Sequence, residues 1–159
     1  MTEVRVRAMT PPEFATWRRA VDESYALAQV EAGVWAADEA VELARTGNDA
    51  LMPDGQDTDG MLFLTGTRPD GTPVGVAWLG LTHPRGAPGC AFLYDFEIFE
   101  AHRGVGYGRA LLALAERTAR DRGATGLELN VFGDNEPAIR LYETAGYTVV
   151  TQQMRKPLS

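Results

Sequence analysis

The stretch "EVRVRAM" at residues 3–9 alternates charged and apolar side chains with a period of two, the spacing of a strand with one buried face. "TPPE" follows at residues 10–13, where Thr10 as N-cap, proline at the first helical position and Glu13 three residues on make a capping box. The spacing then predicts a helix to about Ala28, with Phe14, Trp17, Val21 and Tyr25 on its apolar face. A second helix is predicted over "WAADEAVELART" at residues 35–46, stopped by Gly47. "MLFLTGT" (61–67) and "PVGVAWLGLT" (73–82) read as strands joined by an Asp-Gly turn, and "CAFLYDFEIF" (90–99) as a third strand of that meander. Beyond it come a glycine turn, a helix to Arg122, a strand "GLELNVF" (126–132), a helix "NEPAIRLYETAG" (135–146) and a last strand "YTVVTQQMRK" (147–156). The order β-α-α-β-β-β-α-β-α-β predicts an α/β fold, a mixed sheet with helices on its faces.

Length and composition narrow the function classes. The 159 residues fit one domain spanning 1–159, large enough to bury a core without metals or disulfides. The single cysteine, Cys90, rules out an intramolecular disulfide and any CxxC site. A net charge of −7 disfavours nucleic acid, which selects basic surfaces, and tolerates a cationic partner such as an amine. No apolar run approaches the roughly 20 residues of a membrane helix, and the N-terminus lacks the apolar core of a signal peptide. The expected location is cytoplasmic, with no membrane partner.

The chemistry concentrates at "RGVGYG", residues 103–108, between a strand and a helix. Amides at a helix N-terminus are unpaired and partly positive, which suits phosphate, and glycine allows close approach. Arg103 adds a full charge. Two cofactor motifs fail on spacing. The P-loop needs a lysine that is absent, and the dinucleotide fingerprint puts Arg109 or Leu111 where its last glycine belongs.

What fits is Arg-x-x-Gly-x-Gly through Arg103, Gly106 and Gly108, which resembles the acyl-CoA pyrophosphate loop of the GNAT superfamily of N-acetyltransferases. "NEPAIRLYETAGY" resembles a second motif of that family through Asn135, Ala138, Tyr142, Gly146 and Tyr147. At about 100° per residue, Asn135, Ala138 and Tyr142 share one helix face. Two motifs in the family's order, one strand apart, identify the chain as resembling a GNAT enzyme over about residues 4 to 155.

The resemblance implies a mechanism. Strands "LYDFEIF" and "GLELNVF" should diverge to admit acetyl-CoA, with the backbone of Phe96, Glu97 and Ile98 pairing to the pantetheine arm. The amides of Gly104, Val105, Gly106, Tyr107, Gly108 and Arg109 should hold the pyrophosphate, aided by Arg103. Asn135 should bond the pantetheine region, Ala138 should give close approach, and Tyr142 should return a proton to the departing thiolate. A strand amide near Ile98 would polarise the thioester carbonyl. The acceptor is a primary amine, on a small molecule or a peptide, and must lose a proton before attack. Glu97 is the candidate base and Asp95 the second; two apart on a strand, they share a face about 7 Å apart. In this family the first helical region walls the acceptor site, which brings in Tyr25 and Trp35. Homodimers are common in the family.

One departure narrows the substrate. Enzymes of this family that acetylate ribosomal protein N-termini carry a base Glu five positions before the motif Asn; here that residue is Asn130, which cannot abstract a proton. Glu128 keeps the strand face but sits deeper. "DGQDTDG" at 54–60 fails the calcium-loop pattern. His83 and His102 are loop residues with no second ligand at metal spacing, so no metal is expected, and Cys90 reads as packed rather than reactive. The competing functions are a non-catalytic CoA sensor of the same fold, a transferase using a longer acyl-CoA, and a nucleotide-binding module of another fold.

Overall fold

The structure, a computed structural model, describes residues 2–159. The chain runs β1 (Arg5–Ala8), α1 (Pro11–Glu31), α2 (Ala40–Leu51), β2 (Met61–Thr67), β3 (Pro73–Gly80), β4 (Cys90–Ile98), α3 (Tyr107–Asp121), β5 (Gly126–Leu129) and α4 (Glu136–Thr144), with short 3₁₀ turns at Gly55–Asp57 and Glu100–His102. Five strands lie in sequence order in one sheet. β1 to β4 are antiparallel neighbours and β5 is parallel to β4, the crossover being α3. Among the described residues no helix is long and apolar enough to cross a membrane.

Both faces of the sheet are covered, which explains why β2 and β3 read as almost continuous apolar runs. On one face Trp17, Val21 and Met52 pack on Phe63, Val76 and Trp78. On the other, Leu112 and Ala119 of α3 pack on Leu64, Ala77, Leu79, Ala91 and Leu93, with Leu141 and Tyr142 of α4 against the same cluster.

The start of α1 is as the sequence implies. Thr10 accepts from the Glu13 amide, Glu13 accepts from the Thr10 amide, and Arg7 donates twice to the Glu13 carboxylate. The helix continues to Glu31, and Tyr25, expected on its apolar face, is instead exposed. The second helix starts later than the sequence suggests and runs through Gly47 to Leu51. A helical glycine costs about 1 kcal/mol against alanine. Here the last turn is held from α1: Asn48 donates to Asp22 (2.9 Å), and Arg18 bridges Asp22 and Asp49.

Two expectations about strands are corrected. β5 ends at Leu129 rather than at residue 132. The strand expected at residues 147–156 does not form, and residues 148–159 are exposed throughout. The segment has the composition of a strand, but no sheet edge of its own chain pairs with it. Its contacts are at its ends, where the Tyr147 hydroxyl donates to Glu116 (2.8 Å) and Arg155 donates to the Ala32 carbonyl (3.0 Å).

Candidate active site

β4 and β5 pair only from Cys90↔Gly126 to Leu93↔Leu129. β4 then continues for five more residues with no neighbour on that side. A bulge coincides with the parting: Trp78 of β3 opposes Asp95 while Leu79 opposes Leu93, so Tyr94 is the extra residue. A bulge bends its strand and breaks the alternation of side chains. Tyr94 stacks on Trp78 (4.6 Å between ring centroids), and Asp95, the very next residue, reaches Trp17 on the same face. Phe96 and Ile98 then face α3, and Asp95 and Glu97 face α1.

The edge that faces the gap is set by the pairing on the other side. The Phe99 amide donates to Val74 of β3, and the Glu97 carbonyl also lies on the β3 side, where a Cβ at Gly75 would meet it at 2.4 Å. Antiparallel strands turn alternate residues outward, so the backbone groups of Phe96 and Ile98 face the gap. Of the three residues expected to present backbone here, Glu97 is therefore turned away. The Ile98 carbonyl is already engaged by Arg103 Nε (2.7 Å), whose guanidinium also lies 3.5 Å from Glu97. Arg103 thus ties the end of β4 to the glycine turn.

That turn is built for exposed amides. Gly104 and Gly106 have φ of 81° and 97°, a conformation other residues adopt only with strain, and Gly106 is the N-cap of α3. Among the described residues none of the amides of residues 104–109 has an acceptor; the first paired one is Ala110, to Gly106. Six consecutive free donors at a helix start make an anion site. The Thr2 hydroxyl donates to the Val105 carbonyl (2.6 Å), tethering the turn from behind, and the Arg109 side chain donates to Thr144 of α4 (2.6 Å).

Across the gap, Asn135 caps α4 by accepting from the Ala138 amide (3.3 Å). Tyr142 is partly buried and packs edge-on against Tyr147. Burial, and secondarily the charge of Asp95, push its phenol up to about 12. Tyr142 lies on the α3 face and Asp95 on the α1 face, so the Asp95 charge reaches the phenol from the opposite side of the sheet. Burial raises the Asp95 carboxyl above the usual range, against the Trp17 indole N–H that it accepts (2.8 Å). Burial and then the Asp95 charge raise Glu97, with Arg103 opposing.

Tyr25 and Trp35 come together, edge to face at 5.4 Å, but among the described residues no hydrogen bond or ring contact joins them to the gap. Two groupings were not legible in the sequence. Trp17 reads as core, and its pairing with Asp95 spans 78 positions. His83 also has close neighbours after all: its Nε2, Cys90 and Glu128 offer ligand atoms within 4.8 Å of one another. The Arg85 amide donates to His83 Nδ1 (3.0 Å), which leaves the ring proton on Nε2, facing Glu128. Burial, and then the Glu128 charge, raise the Cys90 thiol above its ordinary value. His83 Nε2 and the Glu128 carboxylate lie against each other beside that thiol.

The splayed strands, the amide-lined turn and the helix bearing Tyr142 lie within the region matched by the family model "Acetyltransferase (GNAT) family", residues 18–147. The chain belongs to the GNAT family. Among GNAT relatives, the uncharacterized N-acetyltransferase YdgE of Bacillus subtilis (strain 168) is 34% identical over 152 residues, covering 94% of this chain and 95% of that protein. A second B. subtilis GNAT protein, the uncharacterized N-acetyltransferase YycN, is 31% identical over 98% of this chain and 99% of its own length. The crystal structure of YycN superposes with a TM-score of 0.92, covering 99% of both chains at 30% identity. The PaiA N-acetyltransferase of Thermoplasma acidophilum, solved with coenzyme A, shares the GNAT fold at a TM-score of 0.65 and 18% identity, covering 96% of this chain and 94% of that one.

Proposed function

We propose that this GNAT protein transfers an acetyl group from acetyl-CoA to a primary amine by direct attack. The observation that carries the reading is the opening beyond Leu93↔Leu129, bordered at one end by six free amides. An extended thiol-bearing arm fits the outward backbone of Phe96 and Ile98 as an added strand, and a pyrophosphate fits the turn of residues 104–109. The bound coenzyme A of the PaiA relative supports the same class of donor.

The Ile98 amide would polarise the thioester carbonyl as charge develops on its oxygen. Glu97 takes the proton from the ammonium acceptor, and Asp95 raises the basicity of Glu97 by like-charge repulsion. The free amine adds to the carbonyl carbon, the C–S bond breaks, Tyr142 gives its proton to the thiolate sulfur, and the second proton shed by the new amide nitrogen restores the Tyr142 phenol. A phenol held near 12 stays protonated through the neutral range, as a proton donor must. Asn135 and Ala138 of the α4 start would lie against the pantetheine arm, and the exposed Tyr25 with the partly buried Trp35 would border the acceptor.

Thermal unfolding with acetyl-CoA, against NAD and ATP as controls, tests the donor. Ligand at about 100 times its dissociation constant adds roughly 2.7 kcal/mol, a rise of about 5–10 °C for a domain of this size. A shift with acetyl-CoA alone is the expected outcome. No shift at millimolar acetyl-CoA would remove the basis of the transferase reading.

A further inference from the structure

The Arg103 side chain opens the glycine turn, yet its two polar contacts are both made back to β4. Its Nε donates to the Ile98 carbonyl (2.7 Å), and its Nη2 lies 3.5 Å from Glu97 Oε1. The backbone groups of Ile98 face the gap, so the guanidinium stands at the mouth of the opening, where an added strand would meet β4. Among the described residues Nε makes the one hydrogen bond of this side chain, which is more than half exposed, so the Nη donors are open to a ligand. The six residues that follow carry the free amides of the turn. A phosphate held by those amides offers Arg103 a charged, bidentate partner, roughly twice as strong as a neutral carbonyl.

We propose that Arg103 is a positioning residue coupling the donor to the base: phosphate at the turn draws its guanidinium off Ile98 and Glu97, opening the strand edge and leaving Glu97 without its cation. The coupling rests on the acetyl-CoA reading above and gives Arg103 a second task besides holding phosphate. Few charges bear on Glu97. Asp95, on its own strand, pushes the carboxyl up, and Arg103, from the turn, pulls it down. Its neighbour on β3 is the apolar Val76, α1 turns its Trp17 indole to Asp95, and the Tyr142 phenol of α4 responds to Asp95. Once Arg103 has moved to phosphate, burial and Asp95 act on Glu97 unopposed, so it is a stronger base with the donor in place than without it.

The test follows the Glu97 carboxyl of the full chain by carbon NMR through a pH titration, its signal identified as the one absent from Glu97→Gln. Each protein is titrated free and with saturating coenzyme A, which carries the phosphates and the arm but cannot react. Coenzyme A should raise the wild-type midpoint. Arg103→Met should titrate, without ligand, at a midpoint already raised, and the further rise on adding coenzyme A should be largely lost. Arg103 is a surface side chain, so circular dichroism of the variant should match the wild type. An unchanged free midpoint in Arg103→Met overturns the proposal, whatever that variant binds. An equal rise in the two proteins also overturns it, because direct repulsion by phosphate or burial under the arm then accounts for the effect. Binding itself is read from thermal unfolding. If coenzyme A leaves the unfolding midpoint where it was, the donor reading fails and the coupling with it; if it binds and Glu97 does not respond through Arg103, the coupling alone fails.

Discussion

Asp95 and Glu97 are two carboxylates on one strand face with different surroundings. Asp95 is spoken for by the Trp17 indole, while Glu97 is about half exposed and looks toward solvent and Arg103. If Glu97 is the base, kcat/KM rises with pH through a midpoint above the ordinary Glu value of 4.5, because both burial and Asp95 push that carboxyl up. Glu97→Gln should abolish this limb and lower the rate by about 10²–10⁴. Asp95→Asn should move the limb to lower pH, since it removes the like charge. An unchanged limb in Glu97→Gln would reassign the base. If Tyr142 is the acid for the leaving sulfur, Tyr142→Phe should lower kcat by at least about tenfold with acetyl-CoA affinity retained. Tyr142 was legible through a motif spacing. Trp17 was not, because nothing local in a sequence says which distant carboxylate an indole N–H will meet.

The glycine turn and the first helix are the elements whose local sequence says most about their structure. Gly106 at φ 97° sits 3.0 Å, at its notional Cβ, from Thr2 Oγ1, so a branched residue there strains the backbone and loosens the turn whether or not anything binds. Gly108 separates the two effects. It is helical, and a methyl there meets Leu141 and Ile98 at 3.5 and 3.7 Å, ordinary contact distances. Gly108→Ala should leave the unfolding midpoint equal or higher, as alanine is worth up to about 1 kcal/mol over glycine in a helix. Its acetyl-CoA dissociation constant should weaken about tenfold; an unchanged constant would mean that phosphate does not approach these amides. At the capping box, Arg7 holds the Glu13 carboxyl near 2, with the Thr10 bonds adding to the effect. Glu13→Ala should cost about 1 kcal/mol and lower the midpoint by about 2–4 °C at neutral pH. A group held below its unfolded value contributes above about 4.5 and loses that contribution as pH falls toward 2, so the two proteins should converge in acid. A stop at Gly47 was the wrong inference from a sound rule, overridden by the bonds from α1 to Asn48 and Asp49.

At the scale of the molecule, the sheet order and the two covered faces follow from patterning, since an apolar run without alternation has to be buried on both sides. The failure at residues 147–156 is of another kind. Strand propensity is a property of a segment, whereas a strand is a property of a pair, and no pattern within a segment reports whether a neighbouring edge will pair with it. The proposed acceptor side is least legible for a related reason: Tyr25 of α1 meets Trp35 of the segment between α1 and α2, and no motif spacing links them to β4. The extra residue at Tyr94 has a consequence for how such a chain can change. Because the bulge already takes the extra residue out of the count, one residue fewer would still leave Leu93 opposite Leu79 and Asp95 opposite Trp78, with every side chain on its present face. What such a deletion takes away is the bend and the Tyr94 ring stacked on Trp78, at the point where β4 parts from β5. Shortening β4 by this residue should therefore keep the acidic wall and straighten the strand that carries it.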